Sequence, residues 1–168
     1  ASAGNASAGH LAVEALKVAT GMFITHIPYR GTGPALNDVL AGRIEFMSAG
    51  TPALLPHIKS GALRCIAVGT TQRIAVLPDV PTVAELGYKD FEANTWFAVF
   101  APAKTPAAVL DLLNAEINKA LAVKSVLERF DTLSLEPGRM DRATLRRYVE
   151  TEVLKWGQLV KDLNIKVQ

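Results

Sequence analysis

A run of small residues at positions 1–10 passes without a break into the apolar helical pattern of residues 11–20, an arrangement that could bind an anion. Small side chains let a ligand approach the backbone, and the free N–H groups of a helix's first turn attract anions. We therefore predict a cradle for a carboxylate or a phosphate at residues 2–9. A flexible Ser/Gly linker is the alternative interpretation. No GKS or GKT follows, which argues against a nucleotide-binding P-loop.

Other kinds of chemistry have weaker support. The three histidines are irregularly spaced, with no HExxH or paired-cysteine pattern beside them, so we expect structural or surface histidines and no metal site. Ser7 lies near His10, but no G-x-S-x-G elbow occurs and no acid is placed to orient a catalytic histidine. What recurs is a supply of backbone N–H groups and of hydroxyls, from Ser2, Ser7, Thr32, Ser48 and Thr51. This inventory favours binding without a cofactor over catalysis.

Composition narrows the class of protein. The chain has 168 residues, enough for one domain or one lobe with part of another, and its 49% hydrophobic content supports a sizeable core. Its 18 basic and 16 acidic residues are interspersed, so nucleic acid is not an expected partner. No apolar run approaches the roughly 20 residues that cross a bilayer, and membrane insertion is not expected. The single cysteine, Cys65, lies in an apolar run and is predicted to be an inert core thiol.

Strand-like and helix-like patterns alternate in the first part of the chain. Short β-prone runs at 23–28, 43–47 and 63–68 are separated by two helical patterns, each with a proline at its start and a glycine at its end. Such an alternation predicts a largely parallel sheet whose ligands bind beyond the carboxyl ends of the strands. Three loops of small residues, at 2–9, 29–34 and 48–51, fall at such ends.

From residue 70 the pattern changes to a proline-rich connection. We expect Thr82 to cap a short helix at 83–86, and an apolar strand at 95–101 to cross toward a second lobe. Helices are predicted at 106–121, around 126–130 and at 141–163. The last helix carries an apolar stripe that we expect to be buried, formed by Leu145, Val149, Val153, Trp156, Val160 and Leu163. If a first lobe is missing, this apolar surface predicts self-association.

Four segments together carry a family resemblance. Residues 2–11, 26–31, 56–61 and 77–85 occur in the order and spacing of the Bug-type, TctC-like solute receptors of tripartite tricarboxylate transporters. The resemblance implies an α/β fold: a periplasmic-binding-protein-like lobe with a largely parallel sheet flanked by helices, plus C-terminal helices belonging to the other lobe. Residues 1–94 would form the second lobe and a connecting segment. Residues 95–168 would supply a crossing strand and helices packed toward a first lobe that is mostly absent.

The resemblance also implies a function. The chain resembles a periplasmic receptor, not an enzyme, that binds a small carboxylate and delivers it to the membrane components of a tripartite tricarboxylate-type transporter. The implied ligand-binding residues are Ser2, Ala3, Gly4, Asn5, Ser7, Ala8, Gly9, Tyr29, Gly31, Thr32 and Ser48. Many relatives carry an aspartate at the position of Ser48, where it can face a ligand ammonium. Ser48 has no such charge, so the expected ligand lacks an essential ammonium group.

Two alternatives from other classes remain. An enzyme acting on a small anionic metabolite could use the same anion-binding loop. An effector-binding domain of a transcription regulator could have a similar two-lobed architecture, but it would be attached to a helix-turn-helix, and none occurs in these residues.

Overall fold

The helices of the protein follow the apolar patterns of its sequence. The computed structural model describes residues 1–166, and these contain six α-helices: α1 Ala8–Thr20, α2 Thr32–Leu40, α3 Thr51–Lys59, α4 Ala107–Ala120, α5 Lys124–Thr132 and α6 Arg142–Asp162. The predicted long helices are confirmed with small shifts at their ends. The predicted helix at 83–86 is wrong, because this segment forms only a turn, in which Thr82 and Glu85 cap each other's backbone N–H groups.

The chain divides into two compact units. The first contains residues 1–95 together with residues 158–166, and the second contains residues 96–157. Helices α1, α2 and α3 lie in the first unit, and α4 and α5 lie in the second. The assignment of residues 1–94 and 95–168 to two lobes of a longer protein stays a prediction.

The predicted strand ranges are wrong in detail. In residues 1–166 the segments at 23–28, 43–47, 63–68 and 95–101 form no continuous ladder. Two isolated β-bridges join Ser2 with Pro28 and Val68 with Thr82, and residue 1 adds single hydrogen bonds to residues 46 and 48. β-Branched and aromatic residues favour an extended backbone, but a ladder also needs a partner strand along its whole length. Phe23, for example, is 94% exposed at the start of its segment. Both bridges are parallel, as the alternation of strands and helices predicts.

The apolar core of the first unit is small. Its buried hydrophobic side chains come from all three helices and from the two segments joined at the second bridge: Val13, Ala35, Leu36, Leu55, Val68 and Val83.

The inward face of α6 is centred on a carboxylate. Glu152 is buried, and its Oε2 accepts hydrogen bonds from the indole Nε1 of Trp96 at 3.0 Å and of Trp156 at 2.9 Å. Because successive helical residues are rotated by about 100°, a helix that turns Glu152 inward turns Val153 outward. Val153 is accordingly 64% exposed, and Leu163 is also exposed, so the predicted burial is wrong at these two positions. The other four stripe residues are only half-buried.

We predict that Glu152→Leu destabilises the protein by about 1.5–3 kcal/mol, because two indole donors lose a charged acceptor. Glu152→Gln keeps an acceptor oxygen and should lose less. Urea unfolding followed by tryptophan fluorescence measures the effect, since both tryptophans of the chain contact this carboxylate.

The matched control is Glu150→Leu on the exposed face of the same helix, which should change stability by less than about 0.5 kcal/mol. Equal unfolding midpoints for Glu152→Leu and Glu150→Leu would contradict the assignment of Glu152 as the organising contact.

Candidate functional site

The first three residues pair with the segment that precedes α2. The N–H of Ser2 donates to the carbonyl of Ile27 at 3.4 Å, and the carbonyl of Ser2 accepts from the N–H of Tyr29 at 3.1 Å. One step further, the N–H of Gly31 donates to the carbonyl of Ala3 at 3.1 Å. The opening loop and the loop at 29–31 therefore run side by side and in the same direction.

The same residues pair on their other side with the segment that precedes α3. The nitrogen of Ala1 donates to the carbonyl of Phe46, and the N–H of Ser48 donates to the carbonyl of Ala1 at 3.4 Å. This alternation of donor and acceptor is the pattern of a parallel pair. The three loops consequently leave the paired segments at one edge, and α1, α2 and α3 each begin just beyond it.

The N-terminus of α1 offers donors at this edge. Ser7 is the N-cap, and its Oγ accepts from the N–H of His10 at 3.3 Å while its carbonyl accepts from the N–H of Leu11 at 3.0 Å. Within residues 1–166 the N–H groups of Ala8 and Gly9 have no acceptor. Two first-turn donors at the positive end of the helix dipole are thus open to an anion.

Gly9 allows the start of α1 to approach the backbone at Ser48. A Cβ on Gly9 would overlap the carbonyl oxygen of Ser48, so only glycine fits at this position without a shift of the backbone. Gly4 has a different requirement, because its φ of +136° disfavours other residues. Both glycines of the opening loop are therefore needed for its shape, one for proximity and one for backbone conformation.

A buried polar network lies beneath the loop. Ser2 is fully buried, and its Oγ lies 2.6 Å from Nε2 of His26 and 3.0 Å from the carbonyl oxygen of Gly4. The ring of His26 stacks on that of His10, with centroids 3.6 Å apart and planes 9° apart. Nδ1 of His10 accepts from the N–H of Ala6 at 3.0 Å. The network thus connects both ends of the loop at residues 2–7.

The network continues into α1 through a buried carboxylate. Oε1 of Glu14 lies 3.5 Å from Nε2 of His10, and both oxygens of Glu14 accept from Lys17 at 2.9 Å. Burial lowers the pKa of His10, and Glu14 opposes that effect. Burial also lowers the pKa of His26, as does the neighbouring His10. Both rings are therefore neutral at neutral pH, which fits the acceptor role of Nδ1 in His10.

The loop at 29–31 is fixed from the side of α2. The hydroxyl of Tyr29 donates to Oδ2 of Asp38 at 2.7 Å, and Nη1 of Arg43 lies 2.8 Å from Oδ1 of the same residue. These hydrogen bonds, first from Tyr29 and then from Arg43, lower the pKa of Asp38. The hydroxyl of Tyr29 is thus engaged by Asp38 of α2.

The structure brings the predicted site residues together at one edge but gives them different tasks. Ser2 and Tyr29 use their hydroxyls internally, while Ala8 is exposed at the open end of α1. Ligand contact itself stays a prediction for the eleven residues. The sequence interpretation missed the roles of His10, His26 and Glu14, although the spacing of Ser7 and His10 is that of an N-cap and its hydrogen-bonded third helical residue.

Residues 1–166 contain neither a metal-binding cluster nor a membrane-spanning helix. No group of His, Cys, Asp and Glu side chains there is placed to hold a metal ion. No helix in that range is both long and apolar enough to span a bilayer.

We predict that Gly9→Ala lowers the free energy of unfolding by about 1–3 kcal/mol, because the added methyl group overpacks against the backbone at Ser48. The control is Gly33→Ala in the first turn of α2, where a Cβ meets no atom within 4 Å. That substitution should be neutral or slightly stabilising. Chemical unfolding of the two variants measures the difference, and equal stability would argue against the close approach.

The sequence of the chain matches a known protein family. Residues 1–165 match the model of the tripartite tricarboxylate transporter family receptor, TctC. Protein BugT of Bordetella pertussis is 39% identical over 162 residues, which are 96% of this chain and 50% of BugT. The chain spans about half the length of most of the curated relatives it matches.

Solved structures resemble the chain over nearly its whole length. R. palustris Rpa4515 with adipate has a TM-score of 0.84 and 34% identity, over 95% of this chain and 53% of that one. The periplasmic binding protein BugD has a TM-score of 0.83 and 34% identity, over 96% and 55%. MatC of Rhodopseudomonas palustris with bound malate has a TM-score of 0.79 and 29% identity, over 92% of this chain and 53% of that one.

These structures confirm the predicted α/β fold of a periplasmic-binding-protein-like lobe. The match over 165 residues, with parallel pairing and three helices that start at one edge, identifies the chain as a member of the tripartite tricarboxylate transporter receptor family, to which Bug proteins also belong.

Proposed function

We propose that this chain forms the carboxylate-binding part of a periplasmic solute receptor, which passes its ligand to the membrane components of a tripartite tricarboxylate-type transporter. The observation that carries the proposal is the edge where three loops meet, with the uncovered N–H groups of Ala8 and Gly9 at the start of α1. The contacts would come from the opening loop, from residues 29–32 and from Ser48.

Backbone donors suffice for a carboxylate. A hydrogen bond to a charged group contributes about 1.5–3 kcal/mol, against about 0.5–1.5 kcal/mol for a neutral pair. Three or four amide donors, aided by the positive end of α1, can therefore hold a carboxylate without an arginine. Affinity should accordingly depend on access to the backbone more than on any one side chain.

The ligands of two related structures support the substrate class. Rpa4515 was solved with adipate and MatC with malate, and both molecules are dicarboxylates. Because the folds are similar, we propose that the present chain also binds a small carboxylate. Because Ser48 has no charge for a ligand ammonium, we expect a small mono- or dicarboxylate and not an amino acid.

The Oγ of Ser2 lies 2.6 Å from Nε2 of His26, a distance that would also suit a serine nucleophile and its histidine base. A nucleophile must reach its substrate, yet Ser2 is fully buried. Its hydroxyl also lies within hydrogen-bond distance of both the carbonyl and the N–H of Gly4. This pair is built to hold the loop, and we infer that the protein binds its ligand without transforming it.

We predict that Ala8→Val weakens adipate binding at least tenfold, since the branched side chain stands at the open N–H groups of α1. Ser7→Ala should weaken binding tenfold or less, the equivalent of roughly 1.4 kcal/mol, because it removes a cap and leaves the backbone donors. Calorimetry on the full-length protein measures both effects.

The matched control is Ala19→Val, the same change at an exposed position near the other end of α1, which should leave affinity unchanged. Equal affinities for Ala8→Val and Ala19→Val would remove this helix start from the site. Failure of the wild-type protein to bind adipate, malate or any other small carboxylate would overturn the proposed function.

A further inference from the structure

The opening loop depends on an imidazole acceptor. Ala6 has a positive φ of 57°, a conformation that costs energy for a residue other than glycine. Its N–H is held by Nδ1 of His10 at 3.0 Å. This single hydrogen bond ties the strained part of the loop to α1, and it exists only while Nδ1 carries no proton.

The second histidine holds the other end of the loop. Nε2 of His26 lies 2.6 Å from Oγ of Ser2, which also accepts from the N–H of Gly4 at 3.2 Å. His26 and His10 are stacked with centroids 3.6 Å apart, so a charge on one ring is felt strongly by the other. The pair thus links residue 2 to residue 6 through two neutral rings.

We propose that the stacked pair of His10 and His26 positions the loop at residues 2–7 for carboxylate binding, and that uptake of a proton by the pair releases the loop and lowers affinity. This inference rests on the proposed function. A protonated His10 donates from both ring nitrogens, so it can no longer accept from Ala6. The loop then loses the contact that holds its left-handed residue.

The charged groups around the pair set the direction of the effect. The charged groups that act on both rings are Glu14 and Lys17 of α1. Burial is the main cause that lowers the pKa of each histidine, and Glu14 works against it in both cases. The hydrogen bond from Ala6 is therefore complete at neutral pH and is lost as the pH falls through the lowered pKa of His10, below its ordinary value of 6.5.

Two variants of His10 separate positioning from mere packing. His10→Asn places an amide oxygen near the position of Nδ1, so the loop keeps an acceptor that does not titrate. His10→Leu fills similar space without an acceptor. Adipate affinity of the full-length protein, measured at about pH 7.5 and about pH 5, distinguishes the three proteins.

We expect the wild type to lose at least tenfold more affinity than His10→Asn between the two pH values, while His10→Asn stays within about threefold of the wild type at the higher pH. His10→Leu should bind at least tenfold more weakly than His10→Asn at both. Comparison of proteins at the same pH cancels the titration of adipate itself. Parallel pH profiles for the wild type and His10→Asn would overturn the proposal.

A readout without ligand keeps this test separate from the proposed function. The hydrogen-exchange protection factor of the Ala6 amide should fall on acidification in the wild type and stay constant in His10→Asn. The amide of Leu11, bonded to the carbonyl of Ser7, is the internal reference. Constant protection of Ala6 in the wild type overturns the inference even if adipate binds, and a fall in protection supports loop release even if adipate does not bind.

Discussion

The backbone pairing of residues 1–3 with a segment on each side is the constraint on which the rest of the first unit depends. It aligns the segments that precede α2 and α3 in parallel with the start of the chain. Three loops then emerge at one edge, each followed by the positive end of a helix. The three loops meet because the segments are parallel. If one of the segments ran antiparallel to the others, its loop would lie at the opposite edge.

Each unit also contains a buried carboxylate that accepts hydrogen bonds from neighbouring polar groups, and the two carboxylates have different roles. Glu14 balances Lys17 and faces a histidine whose protonation changes the loop above it. Glu152 gathers two indole N–H groups and fixes the inward face of α6. Both are satisfied by hydrogen bonds, which is the condition for a carboxylate to remain buried without destabilising the fold. The first lies next to the loop that we propose binds the ligand, and the second joins α6 to Trp96.

The sequence predicted the helices well, because their apolar spacing and their glycine and proline boundaries are local signals. The alternation of β-prone and helical patterns also predicted where the three small-residue loops lie. The predicted strand ladders are absent, because strand pairing depends on partners that are distant in the chain. Phe23, at the start of one predicted strand, is exposed. The stack of His10 on His26 was missed for the same reason, because the two residues are separated by fifteen others and come into contact only when the chain folds. The outward turn of Val153 followed from a carboxylate that hydrophobic patterns ignore.

The most direct test of the account is the response of individual backbone amides to a carboxylate. In a nitrogen–proton NMR titration of the full-length protein with adipate, the amide signals of Ala8 and Gly9 should shift with a single saturating curve. The amides of Gly31 and Ser48 should follow the same curve, while that of Gly138 in the second unit should stay in place. If adipate shifts other amide signals saturably but leaves those of Ala8 and Gly9 unchanged, the claim that the start of α1 holds the ligand is contradicted.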